Sequence, residues 1–219
     1  DLHASGNQAG PQEGDFLMTA SRLSALADLR RLATGLLNFV VLGGAKGTGK
    51  TSLIEHWQRE NDTSLALVRA TASNNGPSAL MKQLATAFSI DPEIAASGDF
   101  LSQWRSALSA SGRRGVNTVL VIDNAERLDT KTLELVQLFA SLRQDGRNLL
   151  RILVSGRPEL LSHFDDATLK AIAGHSAVAR LENFTLTETA DFMKVLGAPA
   201  FDEGEIYRAS HGNPGAIAE

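Results

Sequence analysis

The residues best suited to chemistry are concentrated in one stretch, Gly44-Ala45-Lys46-Gly47-Thr48-Gly49-Lys50-Thr51, which fits the pattern GxxxxGK[ST]. Each position has a physical reason. The glycines let the main chain wrap closely around a phosphate, and the N–H groups from about Lys46 to Ser52 would point inward. A helix starting at the end of such a loop adds the positive end of its dipole. The Lys50 ammonium is placed to reach β- and γ-phosphates, and the Thr51 hydroxyl to complete a Mg²⁺ shell. Gly44, Ala45, Lys46, Gly47, Thr48, Gly49, Lys50, Thr51 and Ser52 are therefore the predicted cradle, with ATP and Mg²⁺ as its predicted ligands. A chance match in a glycine-containing turn would not be flanked by a β-prone run, Asn38 to Leu42, and a helical segment, Thr51 to Glu60, as this one is.

A second element completes the set. Thr118-Val119-Leu120-Val121-Ile122-Asp123 is an apolar strand ending in a carboxylate, the form of a Mg²⁺-coordinating strand, so Thr51 and Asp123 are the predicted metal ligands. Hydrolysis also needs a group that orients or deprotonates water and a cation that offsets charge on the phosphoryl group. The next residue, Asn124, can hydrogen-bond to a water but cannot take its proton. Glu126 substitutes only if its loop folds back, and a solvated loop carboxylate is the simpler expectation for it.

Those groups need a scaffold. Leu23, Leu26, Leu29 and Leu32 recur at helical spacing after Thr19, with Gly35 as a stop. Further strands are predicted at Ser64 to Arg69, Leu149 to Val154 and Val178 to Leu181. Helices are predicted at Pro77 to Phe88, Phe100 to Ala110, and from an Asp129 cap through Arg143 with Leu133, Val136, Phe139 and Leu142 inward. Near-continuous apolar strands alternating with helices signify a parallel sheet covered on both faces. The predicted class is α/β, a three-layer sandwich with a mostly parallel sheet. After Phe184 only helical signals remain: Thr187 to Leu196, Phe201 to Ser210 and a third start at Asn213. The predicted organisation is a disordered tail over 1–14, a nucleotide-binding domain over 15–183 and a small helical lid over 184–219, cut shortly after its last helix begins. Trp57, Trp104, Phe88 and Phe139 sit at core spacing.

The composition, 43% hydrophobic with a formal charge of −4, suits a soluble core-forming chain and argues against nucleic acid as a partner. No cysteine is present, which excludes disulfides and thiolate metal sites, and the five histidines show no ligand spacing. No apolar run approaches a membrane span.

The residues resemble AAA+ P-loop ATPases of the ExeA/GspA secretion type, a group that also takes in pilus-biogenesis and DamX-like cell-division proteins. The likeness runs from Phe16 to Leu42 into the cradle, then through Val121-Ile122-Asp123-Asn124-Ala125-Glu126-Arg127-Leu128, Ile152-Leu153-Val154-Ser155-Gly156-Arg157-Pro158-Glu159-Leu160 and Ser210-His211-Gly212-Asn213-Pro214. The resemblance implies that Asn124 stands at the catalytic glutamate position. It also implies that Gly215 stands where the family carries a sensor arginine. The arginine finger falls at His175, with Arg180 as the alternative, and Ser155 is the remaining sensor candidate. It further implies a cytoplasmic domain tethered to the inner membrane, with membrane and peptidoglycan contacts made by segments outside this chain, and protein partners or self-association. A nucleotide-dependent switch or assembly factor with weak hydrolysis is the expectation. Two alternatives stay open. One is an ATP-dependent DNA-binding regulator similar to TniB and MuB, with Arg143, Arg147 and Arg151 as the residues to suspect. The other is an active oligomeric motor.

Overall fold

The computed structural model describes residues 17–61, 65–90, 100–164, 175–197 and 202–218. The predicted tail over 1–14, Ser64 and Phe201 lie outside them. Among the described residues the chain divides into two compact units, Ser21–Glu182 and a second holding residues 17–20 and 183–218.

The larger unit runs α1 (Ala20–Thr34), β1 (Phe39–Gly44), α2 (Lys50–Glu60), β2 (Leu65–Thr71), α3 (Gly76–Ala87), α4 (Phe100–Arg113) and β3 (Asn117–Asp123). It continues with α5 (Thr130–Ala140), β4 (Arg143–Gln144), β5 (Arg147–Asn148), β6 (Arg151–Gly156) and β7 (Ser176–Leu181). Among the described residues the main sheet has five strands in the order β2-β3-β6-β1-β7, and each pairing is parallel. Parallel neighbours require crossovers, which the intervening helices supply.

The strands alternate between two buried faces. Phe39, Val41, Leu120, Ile122, Ile152 and Val154 join one core with Leu84 of α3, Trp104 of α4 and Phe139 of α5. Val40, Leu42, Val119, Val121 and Leu153 are also buried, and their alternate register puts them on the opposite face. Such two-sided burial explains why these strands read as unbroken apolar runs. Trp104 anchors the first core, with its ring centroid 4.4 Å from that of Phe139 and 5.7 Å from that of Phe100. Both tryptophans are fully buried, as their spacing predicts.

Three local expectations differ from the structure. Leu23 is exposed, because the buried stripe of α1 runs through Arg22, Ala25, Leu26, Leu29, Leu32 and Ala33. Helix α5, capped by Asp129 as expected, ends at Ala140 instead of Arg143. The chain then turns into an antiparallel hairpin of β4 and β5, in which Arg143 faces Asn148 and Gln144 faces Arg147. Asp145 and Gly146 both have positive φ (52° and 75°), as a two-residue hairpin turn demands. Strand β6 consequently begins at Arg151, two residues later than expected.

The smaller unit carries α6 (Leu186–Val195), α7 (Glu203–Ser210) and α8 (Pro214–Ile217). Thr185 and Glu188 form a reciprocal capping box on α6, while Asp202 caps α7 and Asn213 caps α8. Their helical starts are thus encoded by local side-chain chemistry.

Candidate nucleotide site

The predicted cradle follows β1 and ends at α2. Gly47 and Gly49 have φ of 84° and 88°, a region that side-chain-bearing residues avoid. Gly44 is required for a different reason: a Cβ there would lie 2.8 Å from Thr48 Oγ1 and 2.9 Å from the Leu181 carbonyl oxygen. The loop is tied to itself. Thr48 is buried and its hydroxyl donates to the Ala45 carbonyl at 2.9 Å, while Lys50 Nζ donates to the Gly44 and Ala45 carbonyls at 2.7 and 2.9 Å. Lys46, Gly47, Thr51 and Ser52 stand on the exposed side. Gly49 precedes α2 in the left-handed conformation and supplies no side-chain cap. The first-turn amides of α2 therefore have no side chain of their own cap to donate to, the condition in which a helix N-terminus suits an anion.

Arg22 holds this loop from behind, and nothing in the motif pointed to it. It is 2% exposed, and its Nη2 donates to the Thr48 carbonyl at 2.8 Å. A Cβ on Gly49 would sit 3.4 Å from the same nitrogen, an ordinary contact, so the positive φ and not the guanidinium is what calls for glycine there. The signal available in the sequence was an arginine in phase with Leu26, Leu29 and Ala33 on the buried stripe of α1.

The remaining groups arrive through the sheet order. Strand β6 lies between β3 and β1, pairing Val154 with Ile122 and Ser155 with Leu42. The C-terminal ends of three strands thus present Asp123, Ser155 and the start of the cradle in a row about 10 Å wide, two inter-strand spacings. Asp123 accepts the Asn124 backbone N–H at 2.9 Å. Ser155 is fully buried, and its hydroxyl has no hydrogen-bond partner among the described residues.

Asn124 is exposed and has φ 53° and ψ 37°. Asparagine enters this left-handed region more readily than glutamate does. It turns the chain sharply off β3 into a 3₁₀ turn, Ala125–Arg127, and that turn brings Glu126 back to the sheet. Glu126 Oε2 accepts the Arg157 backbone N–H at 3.1 Å, and Oε1 is 3.7 Å from Arg157 Nε. A Cβ on Gly156 would collide with Oε2. The expectation of a solvated loop carboxylate is therefore corrected: the Glu126 side chain is only 16% exposed and rests against the end of β6.

Lys50, Asp123 and Glu126 are close enough to act on one another electrostatically. Burial depresses the Lys50 pKa; the charges of Asp123 and Glu126 oppose this, and Arg157 adds to it. His175 lies elsewhere. It is exposed just before β7, whose Ser176 pairs with Phe39, so it stands at the opposite end of the sheet from the cradle. Arg180, also exposed, pairs with Gly43 at the cradle end. Gly215 sits in the first turn of α8, its N–H donating to Asn213 Oδ1 at 3.0 Å.

A parallel sheet in this order, with a glycine loop after its fourth strand and a carboxylate on its second, defines a P-loop fold of the AAA+ class. The family profile described as AAA domain matches residues 36–164, more than half of the chain, and the chain belongs to that family. It is 26% identical over 139 residues to General secretion pathway protein A of Aeromonas hydrophila, a match covering 62% of this chain and 25% of that protein. The chain thus spans about a quarter of that relative's length. Among solved structures, the ORC2 protein of Aeropyrum pernix in its ADPNP-ADP complexes superposes with a TM-score of 0.64 at 14% identity, covering 97% of this chain and 62% of that one. Cdc6p of Pyrobaculum aerophilum gives 0.60 at 18%, covering 83% and 50%. The RuvB branch migration motor of Thermotoga maritima gives 0.57 at 20%, covering 92% and 59%. These structures share the fold. Among the described residues, no helix is long and apolar enough to cross a membrane.

Proposed function

We propose that this chain binds Mg·ATP and acts as a nucleotide-dependent switch or assembly factor in a bacterial envelope process of the secretion kind, with weak hydrolysis. The observation that carries the reading is the convergence of an uncapped helix start, the Lys50 ammonium and the Asp123 carboxylate at one end of the sheet. The cradle residues Gly44 to Ser52 would hold the phosphates, and Thr51 and Asp123 would hold Mg²⁺. Among the described residues no three His, Cys, Asp or Glu side chains cluster around a metal position. A Mg²⁺ ion here would then share its shell with phosphate oxygens and waters, its usual habit. The metal's contribution when bound is to neutralise charge between the β- and γ-phosphates.

Likeness to General secretion pathway protein A supports the secretion assignment; protein partners or self-association and a place at the cytoplasmic face of the inner membrane belong to the same proposal. Binding that favours one conformation over another can expose or hide a partner surface, by no more than the ligand's differential affinity for the two states.

Slow turnover follows from side-chain chemistry. Asn124 accepts no proton and is committed to the turn. Glu126 has a carboxylate at the site but spends it on Arg157. With Asp123 assigned to the metal, Glu126 is the carboxylate left to accept a proton from water, and Ser155 is the candidate for sensing the γ-phosphate. The expected steady-state rate is below about 1 s⁻¹, the lower edge of ordinary enzymes. Glu126→Gln is expected to cut the residual rate at least about tenfold, less than the 10²–10⁴ of a fully engaged base. A phosphate-release assay measures both. Turnover above about 1 s⁻¹ that is lost in Asp123→Ala would overturn the slow-switch reading.

A further inference from the structure

At the other end of the sheet, beneath the starts of β3 and β6, lies a cavity of about 850 Å³ within the larger unit. Its walls carry Arg113 from the end of α4, Arg143 and Arg147 from the hairpin, Arg151 from the first position of β6, and His175. Among the lining residues a single carboxylate, Asp145, opposes four guanidinium groups. The cavity is separated from the cradle by the length of β1, roughly 20 Å for six residues.

Arg151 is the least ordinary of these side chains. It is half-buried against Gly35, where a Cβ would come within 2.6 Å of its Nη2, so the helix-ending glycine makes the space for it. Its Nε–H is fully buried with no hydrogen-bond partner among the described residues, and none of their carboxylates pairs with it. Burial alone depresses its pKa, with no opposite charge to offset the effect. A second donor is in the same condition. Asn148 Oδ1 accepts Arg143 Nε at 2.8 Å, which fixes the amide so that Nδ2 is the other arm, and Nδ2 is buried without a partner. Four guanidinium groups against one carboxylate, with Arg151 unpaired among them, make a wall that suits an acceptor-rich, negatively charged occupant. The guanidinium fork suits oxyanions. The volume is that of a small-molecule pocket, and the concave shape favours such a ligand over a polymer lying across the surface.

We propose that this cavity is a second, phosphate-recognising site that binds a small phosphorylated molecule through the guanidinium group of Arg151, with Arg143 and Arg147 at its mouth. The site goes beyond the nucleotide reading and stands independently of it. Because strands β3 and β6 run from this cavity to Asp123 and Ser155, its occupant is positioned to influence those two residues from the far end of the same elements.

The test uses inorganic pyrophosphate as the probe and Lys50→Ala as the background, so that the cradle contributes least. Calorimetry on Lys50→Ala is expected to show saturable binding below about 1 mM. Arg151→Gln should weaken it at least about tenfold. Arg147→Ala, an exposed change with no bearing on the core, should weaken it several-fold, which guards against a folding artefact in the first variant. Absence of binding at about 5 mM, or binding that neither arginine variant weakens, overturns the proposal. A labelled 20-base-pair duplex forms the second arm. If it binds more tightly than pyrophosphate, with steep salt dependence and loss in both variants, the arginines serve a nucleic-acid surface and the small-ligand proposal fails.

Discussion

Lys50→Ala is expected to weaken Mg·ATP binding at least about 100-fold, equivalent to roughly 2.7 kcal/mol. The ammonium is half-buried and donates to the carbonyls of Gly44 and Ala45, so it stands over the loop that would receive the phosphates. Burial strengthens its attraction for an anion by lowering the local dielectric. Removing it leaves the phosphates chiefly to main-chain dipoles and to Mg²⁺ held by Thr51 and Asp123. The same change should move the melting temperature little, because the two freed carbonyls belong to a loop also tied by Thr48 and Arg22. Calorimetry for affinity and a nucleotide-free melt for stability separate the two effects. Equal affinity in the wild type and the variant would mean that the loop is a turn and nothing more.

Gly212→Ala is expected to destabilise the C-terminal unit by about 3 kcal/mol or more, since φ is positive and the added methyl meets backbone. Gly212 has φ 69°, and a Cβ there would overlap the carbonyl oxygen of Phe184. No rotamer relieves a clash between a Cβ and a carbonyl. The hydrogen bond from Phe184 N–H to the Gly212 carbonyl, 2.7 Å, would have to open, and with it the neighbouring bond from Asn183 Nδ2 to the His211 carbonyl. Phe184 also packs on Phe192 of α6, with centroids 5.1 Å apart, so the disturbance reaches the helix. Circular dichroism should show the helical melt lowered by roughly 6–12 °C. An unchanged melt would mean that the Ser210–Pro214 turn tolerates a rearrangement the packing gives no sign of.

Much of this fold is legible in the chain because its signals are local. Strands buried on both faces announce themselves as apolar runs, and Asp129, Asp202 and Asn213 cap helices with their own side chains. The glycine loop is legible because Gly44, Gly49, Lys50 and Thr51 fill the fixed positions of GxxxxGK[ST] between a β-prone run and a helical one. What the sequence conceals depends on distant partners. The place of β6 between β1 and β3 is a long-range pairing, and without it Ser155 cannot be set beside Asp123. Glu126 is hidden for the same reason: its position needs a left-handed Asn124, a missing side chain at Gly156 and an N–H from Arg157, three features spread over 34 residues. The β4–β5 hairpin is a different kind of miss, since Asp145-Gly146 was a local turn signal masked by the continuing apolar spacing of α5. Arg22 was masked likewise, a charge within an otherwise apolar stripe.

The proposed switch requires that the loop from Gly44 to Ser52 bind a nucleoside triphosphate with Mg²⁺. Calorimetric titration of the unmodified chain with ATP, in Mg²⁺ and again in chelator, tests it most directly. One site is expected, with a dissociation constant on the order of 1–100 µM, weakened at least about tenfold when Mg²⁺ is withdrawn. No saturable heat up to about 1 mM Mg·ATP would contradict it.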